Sequence, residues 1–140
     1  MTRTHITLLL VAALAVGCGD DTPTAPTTTA VTTVSEQFTG TIPVRETRFY
    51  SYEVASAGTV SITLTSLSVP GSREVAPARV QLGVGIPKGE GCAVSQSVTA
   101  SPGLAAQLTP SQSPGTYCAS ITDTGELQRS LDFTIRIVHP

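Results

Sequence analysis

Three cysteines, Cys18, Cys92 and Cys118, and two histidines, His5 and His139, are the side chains of this chain best suited to nucleophilic, redox or metal chemistry. Their spacing removes most of it. A Ser or Cys nucleophile needs a base beside it, usually histidine. His5 sits in an apolar leader and His139 stands next to the carboxyl terminus, where it reads as a polar edge residue. G-x-S-x-G, H-E-x-x-H and C-x-x-C are all missing. The stretch LGVGIPKGEG, residues 82–91, is rich in glycine, but neither Ser nor Thr follows Lys88, so it is no phosphate-cradling loop. Its glycines suit turn and strand geometry, and Gly83 and Gly85 read as a bulge or a close backbone approach.

The carboxylates Glu36, Glu46, Glu53, Glu74, Glu90, Asp123, Glu126 and Asp132 are spread along the chain, without the close pairing that glycoside hydrolysis uses. Asp123 and Glu126 flank the turn DTGE and are the candidates for a Ca²⁺ site. Calcium takes six to eight oxygens, so a solvated turn is the simpler reading. The expectation is a non-catalytic protein without a cofactor, with calcium or carbohydrate binding, or an envelope hydrolase, as alternatives. Net charge is −2 and only 13% of residues are charged. Arg73, Arg79, Lys88, Arg129 and Arg136 form no stripe, which argues against nucleic acid. Three Tyr, three Phe and no Trp leave few platforms for stacking sugars. Asn is absent, so N-linked glycosylation has no acceptor.

The elements that must position these residues begin after a leader. Residues 6–16 are apolar apart from Thr7, Arg3 precedes them, and Gly17-Cys18 follows. A bilayer-spanning helix needs about 20 apolar residues, so this shorter run reads as an export signal. The boundary Leu14-Ala15-Val16-Gly17-Cys18 resembles the bacterial lipobox, with Ala15 where that pattern commonly has Leu. The resemblance implies cleavage before Cys18 and a diacylglyceryl group on its thiol. Each buried CH₂ contributes about 0.8 kcal/mol, and two or more chains are needed for lasting attachment.

Residues 18–34 then form a tether. TPTAPTTTAVTT, residues 22–33, is too polar and proline-broken to bury a core. Fully extended, residues 19–34 reach about 50 Å at roughly 3.3 Å each. By the lipoprotein sorting rule of enteric-type bacteria, Asp directly after the cysteine favours the inner membrane. Gly19 stands there, so the resemblance implies the outer membrane or the cell surface of a bacterial envelope.

Residues 35–140 alternate with the period of strands. In GTVSITLTSL, residues 58–67, Val60, Ile62 and Leu64 share one face. Tyr50, Tyr52 and Val54 share a face in residues 47–55, as do Val80, Leu82, Val84 and Ile86 in 79–86. Leu131, Phe133, Ile135 and Ile137 do so near the end. Residues 37–42, 92–98, 104–108 and 115–122 are further strand candidates, with Pro70-Gly71, 88–91, Pro102-Gly103 and Pro114-Gly115 as turns. Seven or eight short strands predict an all-β, antiparallel β-sandwich or jelly-roll-like domain. With Cys18 acylated, Cys92 and Cys118 remain in an oxidising compartment and are expected to form a disulfide, because a two-cysteine metal site lacks partners. Cys118 falls opposite the Tyr117, Ala119, Ile121 face, which places it outside the main core.

EQFTGTI (36–42), FYSYEVASAGTVSITLTSL (49–67), VQLGVGI (80–86), GCAV (91–94), GTYCASITDTG (115–125) and the closing FTIRIVHP together resemble exported bacterial β-sandwiches related to the pre-peptidase C-terminal (PPC-like) domains. The resemblance implies an accessory, adhesion or macromolecule-contacting module, some members carrying calcium in acidic loops. The expected partners are therefore membrane lipid at Cys18 and an envelope protein or polysaccharide.

Overall fold

In the computed structural model, which describes residues 32–140, the chain is all β. The strands are β1 (Val34–Ile42), β2 (Thr47–Val54), β3 (Gly58–Thr59), β4 (Ser61–Ser68), β5 (Val80–Lys88), β6 (Gly91–Ala100), β7 (Ser111–Gln112), β8 (Gly115–Thr122) and β9 (Leu131–His139). Seven are long and two are two-residue ribbons, so the expected sandwich is present. One sheet has the order β1-β9-β4, the other β2-β8-β5-β6, and β3-β7 forms a small third ladder. Every pairing is antiparallel.

Alternation decides which faces meet. Along β9, Leu131, Phe133, Ile135 and Ile137 are buried while the residues between them are only partly so. They meet Tyr52, Val54, Val80, Leu82, Val84, Ala119 and Ile121 of the other sheet in a single hydrophobic cluster. Each of the Val, Leu, Ile and Phe side chains contributes about 1.5–3 kcal/mol by leaving water.

The structure departs from the reading of the sequence at four places. The run 58–67 is divided into β3 and β4, and a bulge between Leu64 and Ser66 rephases the strand so that Leu67 also enters the core. Ile86, expected in the core with Val84, is 62% exposed, because β8 pairs with β5 only as far as Gly85 and the sheet has no inner cover beyond. Residues 104–108 form no strand: Leu104 is 91% exposed, and Leu108 makes a single bridge to Ile62. His139 lies on the central strand of its sheet, not at an edge, and is buried.

The β5–β6 hairpin carries a register shift between Val84 and Gly85. Val84 pairs with Gln96 and Gly85 with Val94, which leaves Ser95 as an extra residue whose hydroxyl donates to the Val84 carbonyl at 3.2 Å. The bulge coils the start of β6 over the outer face of β5. Only glycine fits beneath it: a Cβ on Gly85 would collide with the Ala93 carbonyl and lie 2.8 Å from Val94 Cα. The close backbone approach read from the sequence is here, at Gly85.

Candidate functional site

Coiling of β6 brings Cys92 across β5 to Cys118 on β8. Their sulfurs are bonded at 2.02 Å, with Cα atoms 5.9 Å apart. Cys118 lies outside the core between the sheets, as its register implied, yet it is fully buried, because β6 folds over it. The disulfide therefore pins the first half of a margin strand to the sheet interior.

A two-layered sandwich has four margins, here β1, β4, β2 and β6. Exposed strand edges invite pairing with other chains unless something blocks them. The β4 margin is sealed by irregular backbone. Val60 N–H donates to Pro110 O, Ile62 N–H to Leu108 O and Gly103 N–H to Leu64 O, each at 2.9 Å. Gln107 completes the seal, its Oε1 accepting from Leu64 N–H at 2.7 Å. Ala76 N–H donates to Leu67 O farther along.

At the β1 margin, Tyr50 lies against Phe38, with ring centroids 4.9 Å apart, and its hydroxyl donates to Thr39 O at 3.1 Å. The β2 margin carries charge, in the Arg48–Glu46 pair at 3.1 Å and in Glu53. β6 has neither device. Its sequence GCAVSQSVTA contains no charge and no proline. Among the described residues no backbone segment bonds to its free side. The Ser95 bulge interrupts the strand, leaving Gln96–Ala100 as its regular portion. There Ser97 and Thr99 point outward, opposite Gly83 and Gln81, and Val98 and Ala100 point inward, opposite Leu82 and Val80.

The residues singled out for chemistry have other occupations. Asp123 is buried at the end of β8, and Oδ2 accepts from Arg45 N–H at 2.7 Å. Oδ1 accepts from the amides of Gly125, Glu126 and Leu127 at 2.9–3.1 Å. Burial alone would raise its pKa, but these four donors outweigh burial and hold the carboxyl below its usual 3.8. The cage also fixes Arg45 in a left-handed conformation, φ 60°, at the β1–β2 turn. Glu126 contributes only its backbone amide and its side chain is exposed. The Asp123 oxygens thus serve as a loop clasp, surrounded by amide hydrogens that disfavour a cation. No cluster of three or more His, Cys, Asp or Glu suited to a metal occurs among the described residues.

His139 Nε2 lies 2.9 Å from Glu36 Oε1, and its ring packs at 5.7 Å from that of Tyr52. Tyr52 and Gln112 form a buried pair, with Tyr52 Oη 3.1 Å from Oε1 and 3.0 Å from Nε2 of Gln112. Burial pushes the Tyr52 hydroxyl up to about 12, against the lowering effect of Gln112 and with a smaller raising contribution from Tyr117. Among the described residues the His139 ring bonds to Glu36 and to no serine or cysteine, and the contact ties β1 to β9. Sequence reading missed it; the two partners are 103 positions apart and nothing local links them.

Two shallow depressions lie on the surface of the described residues. One, of about 430 Å³, lies between the 69–78 and 126–131 segments, with Val75, Leu127 and Leu131 in its lining and Glu74, Glu126 and Arg129 around them. The other, of about 320 Å³, crosses the hydroxyl-rich outer face of the three-stranded sheet at Thr39, Ser66, Asp132 and Thr134. Neither gathers paired carboxylates around a nucleophile.

Cys18, the leader at 1–17 and the tether as far as residue 31 lie outside the described residues. Among the described residues no helix is long and apolar enough to cross a membrane. No protein-family model matches the sequence, and no curated protein matches it.

Proposed function

We propose that this protein is a lipid-anchored, non-catalytic module of the bacterial envelope that recognises an extended protein segment by adding it to the free edge of β6. The open margin of β6 carries this reading, since the other three margins are sealed, aromatic-capped or charged. Strand addition takes its affinity from main-chain hydrogen bonds and its selectivity from alternate side chains. A sheet edge fastened by a disulfide suits it, because a preorganised strand loses little freedom on pairing.

The lipobox-like boundary at Cys18 supports an acyl anchor, and residues 19–33 supply the reach to hold the domain clear of headgroups. The PPC-like resemblance supports an accessory role on the outer membrane or cell surface. The test uses full-length protein in its own membrane. A photo-reactive residue replacing Ser97 should crosslink to an extended protein segment, and one replacing Ser68 on the sealed margin should not. Equal yields at the two positions, or none at Ser97, contradict the reading.

A further inference from the structure

Resting on that reading of the edge, we infer that the segment added to β6 is β6 of a second copy of this chain, paired antiparallel about a two-fold axis through Val98. Strand register selects the axis. A two-fold perpendicular to the sheet keeps outer side chains opposite outer ones, so the numbers of paired residues must sum to an even value. An axis at Ser97 would set the bulged Ser95 against Thr99. An axis at Val98 sets Val98 against itself, Ser97 against Thr99 twice, and Gln96 against Ala100 twice, all within the regular portion of the strand.

The side chains agree with that register. Ser97 and Thr99 are exposed, and opposed Ser–Thr pairs on a sheet face exchange hydroxyl hydrogen bonds. Like charges meeting across a two-fold commonly forbid self-pairing, and β6 has none to meet. For the same reason the strand offers a charged foreign segment no electrostatic complement.

The anchor geometry agrees as well. Such a dimer joins two four-stranded sheets into one of eight strands, with both three-stranded sheets on the same side. β1 begins in that layer at Val34, so both amino termini leave at the same height along the two-fold axis. Residues 19–33 span up to about 50 Å at roughly 3.3 Å each, so both Cys18 thiols reach one bilayer. Confinement to that bilayer raises the effective concentration of each copy for the other.

The test takes the full-length chain, extracted from its membrane in mild detergent, with intact mass read on the same sample. Sedimentation is expected to show a dimer. Ser97→Lys with Thr99→Lys places lysines opposite lysines and should weaken the dimer at least tenfold, as should Ser97→Glu with Thr99→Glu. Mixing the two variants should restore dimers by setting Lys against Glu. Both sites are exposed, so each variant should still fold, with the Cys92–Cys118 bond intact. Co-expressed Ser97→Cys and Thr99→Cys copies should form a mixed disulfide in the membrane, and Ser97→Cys copies alone should not, since residue 97 does not face its own copy.

A monomer at every concentration, or a dimer indifferent to these charges, overturns the inference. A Ser97 photo-adduct with a different protein overturns the second copy and keeps the edge as a recognition element. Absence of any adduct at Ser97 overturns both. An unmodified Cys18 in a sample that still dimerises upholds the pairing and removes only the anchor.

Discussion

Replacing Gly85 by alanine is the sharpest perturbation of the β5–β6 hairpin. The added Cβ would collide with the Ala93 carbonyl and lie 2.6 Å from Ala93 C and 2.8 Å from Val94 Cα. All three are main-chain atoms of β6, and a strand pinned by the Cys92–Cys118 bond cannot swing aside. Overpacking costs roughly 1–3 kcal/mol, and the rigidity of this neighbour places the cost near the upper end. Alanine also restricts the unfolded chain, which returns about 0.4–1 kcal/mol. The net loss is about 2 kcal/mol. A small domain shifts by about 4–8 °C per kcal/mol, so the thermal midpoint should fall by about 10 °C. Two companions calibrate the result in the same melt. Gly83→Ala meets the movable ends of Ser120 at 2.5 Å and Val94 at 2.9 Å, so it should cost less. Gly91→Ala meets nothing nearer than Lys88 O at 3.7 Å, so it should be close to neutral. A Gly85→Ala protein that melts with wild type while keeping its disulfide would mean that β6 does not lie on β5 at this point.

Replacing Cys92 and Cys118 together by alanine opens a loop whose ends are 26 positions apart. The chain-entropy relation gives a loss of about 3.5 kcal/mol, read by urea unfolding, and a loss under 1 kcal/mol would contradict a structural role. Asp123→Ala orphans four amide donors and should cost about 1–3 kcal/mol. The Asp123 carboxyl sits lower folded than unfolded, so its contribution is complete above pH 3.8 and fades as pH falls through the lower folded value. Asp123→Asn should flatten that acid limb in unfolding curves collected against pH. The Tyr52 hydroxyl is raised from 10.0 to about 12, so its contribution is complete below pH 10 and is lost as pH rises toward 12. Ultraviolet titration should find a tyrosine ionisation near 12 in wild type that is lost in Tyr52→Phe.

Much of the fold was legible because its strands are amphipathic with period two. β9 and β2 follow alternation residue by residue, and β5 follows it through Val84. Alternation failed where cover, not pattern, decides burial. Ile86 continues the apolar phase but runs past the last residue that β8 supports. Leu104–Leu108 has strand-like composition, yet β4 needed its margin closed, and the segment serves as a seal with Gln107 acting in place of backbone.

The disulfide followed from cysteine arithmetic once Cys18 was assigned to the anchor. The candidate site was harder to read. Nothing within GCAVSQSVTA marks it as a margin; that status comes from the strand order β2-β8-β5-β6, which joins segments far apart in sequence. The Asp123 carboxylate was visible as an oxygen donor, but the amides that occupy it depend on loop geometry that composition does not encode.

Intact mass spectrometry of the protein from isolated membranes is the decisive check on whether the proposed strand-edge module is held to a bilayer through Cys18. The expected species is a chain beginning at Cys18 that carries the mass of a diacylglyceryl group, with or without a further acyl chain, and the Cys92–Cys118 bond intact. A water-soluble chain retaining residues 1–17, with a free thiol at Cys18, would contradict that anchorage.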